Sequence, residues 1–255
     1  MKFVSAHARE LPPDLYRSLA GYRYQVFVER LRWALQSEPG FEQDQFDLPD
    51  TVHVVARSRE GDIVGCGRLL PTTGPYLLES VFPELLNGLP TPHDPKVWEL
   101  SRFAAMDVKD ASRTGREFQY VAERVLLESL RFCAARGVTH LLAVSTLPVE
   151  RLILRAGVDA RRIGPPIRHD GQMILAFVIS VSETSINALA EFEAAALRGH
   201  ARAPRHNSHQ APRFDPVQLP THLPAHLPEY LTPALANDAE QDGEVTSTNV
   251  SRPLH

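Results

Sequence analysis

The chain has 255 residues, 43% hydrophobic and 23% charged, with a formal net charge of −4. That is enough for one large domain with a sizeable core, and it supplies no global basic field to recruit nucleic acid or an anionic membrane. No run approaches the roughly 18 apolar residues of a membrane span, the opening MKFVSAHARELPPDLY has no signal-type apolar stretch, and Cys66 and Cys133 sit in apolar segments without metal-ligand spacing, so a cytoplasmic protein with reduced thiols is expected.

Pro12 and Pro13 open a helix expected over residues 14–35, in which Leu15, Leu19, Tyr22 and Val26 recur at helical spacing. TVHVVARS (51–58) and DIVGCGRLLP (62–71) read as strands joined by the turn signal REGD, and the strand glycines permit close backbone approach. KVWELSRFAA (96–105) reads as a third strand. Its alternation puts Val97, Glu99, Ser101 and Phe103 on one face and Trp98, Leu100, Arg102 and Ala104 on the other, so Glu99 and Arg102 are expected on opposite sides.

Residues 115–137 form a strong amphipathic helix, with Val121, Val125, Leu126, Leu130 and Cys133 on one stripe and Gly137 closing it. A strand at 138–146, a short helix at 148–157, a strand at 172–181 and a last helix at 182–197, capped by Ser182 or Thr184, complete the pattern. Helices mixed with several strands give an α/β (α+β) sandwich in one domain, residues 1–197, with a central mixed sheet flanked by helices. From 198 to 255 Pro and His recur without helical or strand period, and this tail is expected to be disordered. Its histidines have no recognised ligand spacing, and no metal site is expected.

There is no GxGxxG after a strand, no P-loop, no HExxH and no GxSxG. What stands out is charge set among aromatics: Arg23, Tyr24, Phe27 and Trp33 in GYRYQVFVERLRW, Asp44 and Asp47 in FEQDQFD, Arg68 in GRLLP, and Glu99 and Arg102 in WELSRF. A buried unpaired ion costs several kcal/mol, so these charges are expected to pair with one another or to line a site.

Taken together, Arg23, Phe27, Trp33, Asp44, Asp47, Arg68, Glu99 and Arg102 resemble, in order, the pattern of the acyl-homoserine lactone synthases, the LuxI-type autoinducer synthases. LLPTTGPYLL, THLLAVST and VERLILRAG resemble the same family, and the likeness covers about residues 1–182. The resemblance implies an N-acetyltransferase-like three-layer fold. It implies transfer of a fatty acyl group from acyl-carrier protein to the amine of S-adenosyl-L-methionine, then lactone closure with loss of 5'-methylthioadenosine and no cofactor. The product would be a quorum-sensing signal.

On this reading Glu99 takes the amine proton, directly or through one water, and Arg23, Asp44, Asp47, Arg68 and Arg102 order the region around the substrate. Tyr24, Phe27 and Trp33 offer π-faces to a cationic substrate, and Ser101, Phe103, Ala143 and Ser145 contact substrate or acyl chain. Leu142, Val144, Leu147, Val149 and Leu152 are candidate tunnel walls or core. Ala143 falls where relatives making 3-oxo products carry Thr, which leans toward an unsubstituted chain. Arg151 and Arg155, four apart on one helix, present a basic face to an acidic carrier protein. Acyl-CoA is the alternative donor. A CoA-dependent N-acetyltransferase of another amine would show Q/R-x-x-G-x-G/A, of which RTGREF is only a partial likeness. A non-catalytic binding module is the other alternative, and it leaves the matched positions unexplained.

Overall fold

The computed structural model describes residues 1–109 and 115–197; the tail 198–255, whose disorder was expected from sequence, lies outside the described residues. In chain order the elements are β1 (Lys2–His7), α1 (Pro13–Arg23), β2 (Val52–Arg57), β3 (Ile63–Pro71), α2 (Leu77–Ser80), β4 (Val97–Ala105), α3 (Arg116–Ala134), β5 (His140–Thr146), α4 (Leu147–Arg155), β6 (Ala160–Arg162), β7 (Ile167–His169), β8 (Gln172–Ser180) and α5 (Glu183–Leu197). The strands form one sheet in the order β1-β2-β3-β4-β5-β8-β6, with β7 also on β8. Among the described residues only β4 and β5 run parallel.

The hydrophobic stripe of α3 read from sequence sets one layer. Val121, Val125, Leu126, Leu130 and Cys133 of α3 join Ile153 of α4 and Leu189 of α5 in one cluster against Val54, Leu100, Leu141 and Phe177 of the sheet. On the opposite face Leu19 and Tyr22 of α1 pack with Val55 and Cys66, and Leu78 of α2 packs with Val97 and Leu142. Three layers result, helices on both faces of a mixed sheet. Gly65 marks how tightly α3 lies on β3: a Cβ there would stand 2.7 Å from Val121 Cγ1.

The first helix departs from expectation. It is α-helical only to Arg23, continues as π-helix over Tyr24–Arg30 and ends there, with Arg32 in the left-handed region at φ 59°. The wider π turn, often a mark of functional sites, leaves Trp33 outside the helix. Strands β1, β6 and β7 were not expected; β1 is an edge strand, and three residues are too few for β6 or β7 to show alternation.

β4 holds the largest correction. Cys66 pairs with Ala104 and Arg68 with Ser101, so Arg102 and Phe103 together oppose Gly67. Arg102 takes φ 48°, and this bulge resets the alternation. Trp98 and Leu100 share the α3 face with Phe103 and Ala105, while Arg102 turns to the face of Glu99 and Ser101. Beyond the bulge β4 and β5 also part: their ladder runs only from Val97↔His140 to Leu100↔Ala143, although β4 continues to Ala105 and β5 to Thr146.

Candidate active site

On the α1 side of the sheet, beside the place where β4 and β5 part, three arginines and three carboxylates alternate in a closed ring. Arg23 Nε donates to Glu42 Oε2 at 2.5 Å. Glu42 Oε1 accepts from Arg102 Nη2 at 2.9 Å, and the same nitrogen donates to Asp44 Oδ2 at 2.7 Å. Arg68 Nη1 lies 2.5 Å from Asp44 Oδ1 and 3.1 Å from Asp47 Oδ1. Arg23 closes the circuit by forking onto both oxygens of Asp47 at 2.7 and 2.8 Å. Each guanidinium touches two carboxylates and each carboxylate two guanidinium groups, so the ring is electrically neutral, the condition for burying so many ions.

The local sequence builds this shape. Residues 42–47 turn on themselves: the Asp44 side chain accepts the Phe46 amide at 2.9 Å and the Asp47 side chain accepts the Asp44 amide at 2.9 Å. Ser101 Oγ accepts from Arg68 Nε at 3.0 Å. Burial alone would pull the Arg23 guanidinium down, but Asp47 and Glu42 outweigh it and hold it above its ordinary value. Burial likewise raises Asp47, yet hydrogen bonds and charge from Arg23 and Arg68 carry it well below the usual carboxylate range. Phe27 and Trp33 stack at 4.8 Å, with the Arg102 guanidinium 5.6 Å from the first ring and 6.0 Å from the second. Asp44 is the ring carboxylate with exposed side-chain surface, 14%. Arg68 Nη2 is buried without a hydrogen-bond partner.

Glu99 stands next to the ring rather than in it. Its carboxylate accepts the Leu77 and Leu78 amides, at 3.0 and 2.6 Å, at the start of α2. It is fully buried, and burial pushes it up to about 7 against the pull of those amides and of the Arg68 and Arg102 charges. Through the sheet, on the α3 side, lies a cavity of about 380 Å³ lined by Phe103, Phe118, Val149, Leu152 and Arg155 among others. Ala143 is buried on that same side, opposite Leu100 and Phe177, and Ser145 is half-buried further along β5. A charged site thus lies on one face of the sheet and a cavity on the other.

Comparison of the whole chain with known proteins identifies its relatives. A family model for autoinducer synthase matches residues 12–189. The acyl-homoserine-lactone synthase of Acinetobacter nosocomialis is 44% identical over 183 residues, covering 71% of this chain and 100% of that protein. TofI, solved in a ternary complex with an inhibitor and MTA, superposes with a TM-score of 0.66 at 40% identity over 74% of this chain and 97% of that one. BjaI, a CoA-dependent acyl-homoserine lactone synthase solved with SAM and isopentyl-CoA, gives 0.65 at 25% identity over 74% and 87%. The chain belongs to the acyl-homoserine-lactone synthase family.

The synthase fold is thus N-acetyltransferase-like, as expected. The structure brings Arg23, Asp44, Asp47, Arg68 and Arg102 into one ring, sets Phe27 and Trp33 over it, and places Ser101 and Glu99 against it. Tyr24 is half-buried in the π-helix. Phe103 and Ala143 lie on the cavity side, not beside Glu99. Of the candidate tunnel walls, Val149 and Leu152 line the cavity, whereas Leu142 and Val144 belong to the opposite face. Arg151 and Arg155 are exposed on α4, flanking the exposed Leu154.

Sequence reasoning missed Glu42 and His53. Glu42 lies two residues before Asp44, but Glu99 already balanced the three arginines in a charge count, and only the placement of Glu99 beside the ring opens a vacancy for Glu42. His53 pairs with Arg68 in the β2–β3 ladder and stands 3.8 Å from Asp47 Oδ1, its Nε2 without a hydrogen-bond partner. Burial, tempered by Asp47, lowers it to about 4. Among the described residues no group of three His, Cys, Asp or Glu is disposed to hold a metal ion, and no helix is long and apolar enough to cross a membrane.

Proposed function

We propose that this synthase joins an acyl group from acyl-carrier protein to S-adenosyl-L-methionine and closes the product to an N-acyl-L-homoserine lactone. The observation that carries this is the neutral charged ring on one face of the sheet, with Glu99 beside it, and a cavity on the other. The methionyl substrate is a zwitterion with an added sulfonium. Asp44 and the stacked Phe27 and Trp33 suit its cationic parts, and the unpartnered Arg68 Nη2 suits its carboxylate. The acyl chain enters the cavity side.

Glu99, poised near neutrality, takes the amine proton directly or through one water, matching an α-amine that titrates at about 7.7–8.0. The amine nitrogen bonds to the thioester carbon, the C–S bond breaks, and the carrier thiolate leaves with a proton. The carboxylate oxygen then attacks the carbon on the sulfonium, and that C–S bond breaks to release 5'-methylthioadenosine. The sulfonium is its own leaving group, so the reaction needs neither metal nor cofactor, and it takes place in the cytoplasm.

Arg151 and Arg155 face the carrier, with Arg155 at the cavity wall. Acyl-CoA is the second reading, favoured by the likeness to BjaI. Purified enzyme given S-adenosyl-L-methionine with each donor in turn, with mass-spectrometric detection of lactone and 5'-methylthioadenosine, tests both. Equimolar products with the carrier donor are expected, and products only with acyl-CoA would transfer the donor role. Soluble enzyme making neither product with any donor would end the proposal.

A further inference from the structure

Glu99 hangs on two backbone amides, and what fixes those amides lies further out. Leu77 and Leu78 donate to its two oxygens, at 3.0 and 2.6 Å, from a helix only four residues long, too short to hold its own shape. Tyr76 and Leu78 are fully buried and anchor α2 beside Val97 and Leu142 of the sheet. Polar bonds to residues 92–94 set its orientation about that anchor. Tyr76 Oη donates to the Pro92 carbonyl at 2.9 Å, and Glu79 Oε1 lies 2.9 Å from His93 Nε2. His93 Nδ1 lies 3.2 Å from the Thr72 carbonyl oxygen, and Thr72 Oγ1 accepts the Asp94 amide at 3.1 Å and donates to the Val97 carbonyl at 2.8 Å. Val97 opens β4, which carries Glu99 two residues on. The circuit closes: Glu99 to α2, α2 through Glu79 to His93, and the His93 segment back into Glu99's own strand.

The Glu79 and His93 side chains are 29% and 57% exposed, and an ion pair so open to solvent adds little to stability. We infer that Glu79 and His93 are positioning residues, whose bond holds the Leu77 and Leu78 amides on the Glu99 carboxylate. This rests on the reading above that Glu99 takes the amine proton. Those amides favour the charged carboxylate, as do Arg68 of β3 and Arg102 of β4, while burial opposes all of them. With the pair cut, Tyr76 and Leu78 keep the site dry while the amides lose their aim. Glu99 then gives up part of what holds it charged, and it titrates higher. The charge of Glu79 acts in the opposite sense, because removing a nearby negative charge lets a carboxylate ionise more readily. The direction of the shift in Glu79→Leu therefore separates aim from charge.

The test uses the full chain at saturating S-adenosyl-L-methionine with acyl-carrier-protein and acyl-CoA donors, following release of 5'-methylthioadenosine across pH. Glu79→Leu and His93→Ala are expected to move the acid limb of kcat up by about one pH unit, the size of one weakened bond to a charged group. At about pH 6 each should then turn over roughly tenfold slower than wild type, and above about pH 8.5 nearly as fast. The KM for S-adenosyl-L-methionine and the urea midpoint should stay in place. Glu79→Gln keeps an acceptor for His93, and its limb is expected not to rise. A limb that stays put or moves down in Glu79→Leu overturns the inference. A merely structural brace would slow turnover equally at every pH and lower the urea midpoint, and that result overturns it too. If Glu99→Gln abolishes the limb while Glu79→Leu leaves it unmoved, this inference alone falls. If Glu99→Gln keeps the wild-type limb, the reading of Glu99 as the base falls and this inference with it.

Discussion

Arg102 shares a sheet face with Glu99, three residues away, where unbroken alternation would have put them on opposite sides. The two-against-one bulge opposite Gly67 makes this possible by holding Arg102 at φ 48°. The reversal delivers a guanidinium to Glu42 and Asp44 and sends Phe103 to the cavity.

The ring predicts a matched pair of losses. Glu42→Ala leaves Arg23 and Arg102 facing each other without their carboxylate, and Arg102→Ala leaves Glu42 and Asp44 without theirs. Removing one partner of a buried ion pair costs about 3–5 kcal/mol, so each variant should unfold at lower urea with its activity lost. The double variant should lose clearly less than the two single losses added together. Strictly additive losses from chemical denaturation would mean that Glu42 and Arg102 are not coupled.

Glu99 and His53 oppose each other in their pH dependence. Glu99 titrates at about 7 when folded against an ordinary 4.5, so the native state holds more protons in that window and this group lowers stability as pH rises through it. His53 titrates at about 4 against 6.5, so the unfolded state holds more protons and this group raises stability with pH until 6.5. Between pH 4.5 and 6.5 the two slopes, each at most about 1.4 kcal/mol per pH unit, act against one another. Urea midpoints across that window should tilt upward with pH in Glu99→Gln and downward in His53→Asn, relative to wild type. The same tilt in both variants would refute the assignment.

Glu99 as the base adds a kinetic signature. Activity should fall below about pH 7 as the carboxylate protonates. Glu99→Gln should abolish that acid limb along with most turnover. It should also lose some stability, because its NH₂ group would meet the Leu77 or Leu78 amide where an acceptor is required. A variant that keeps full turnover and the same limb would show that Glu99 only braces α2.

Gly65→Ala should destabilise by about 1–3 kcal/mol through overpacking, since the added carbon would collide with Val121 and Val125. Further trimming Val121 to Ala should recover part of the loss, measured as a rise in melting temperature over the single variant. No recovery would place the strain elsewhere.

Reversing Arg151 and Arg155 to Glu should raise the KM for acyl-carrier protein by roughly tenfold and flatten its salt dependence, leaving the KM for S-adenosyl-L-methionine in place. An unchanged carrier KM would take α4 out of the docking surface.

The apolar stripe of α3 was legible in the sequence, because helical periodicity is local and the stripe is buried as its spacing requires. Arg23, Asp44, Asp47, Arg68, Glu99 and Arg102 were picked out together by the resemblance to the synthase family, and the cost of burying Arg68, Glu99 and Arg102 without partners pointed the same way. The extent of the first helix was not legible, because the π turn at Tyr24 and the left-handed Arg32 trade local regularity for the stacking of Phe27 on Trp33. The face of Arg102 was also hidden: a bulge is defined by its partner strand, and nothing in WELSRF says that Gly67 will oppose two residues at once. Nor could Glu42 be joined to the ring from its own segment, since it reaches Arg23 and Arg102 across chain separations of 19 and 60 residues. The sequence alone determined the α3 stripe and the order of charged and aromatic positions that resembles the family, because both are properties of short segments. The order of the ring, the side of the sheet and the parting of β4 from β5 were decided by tertiary structure, because each depends on which distant segment packs opposite.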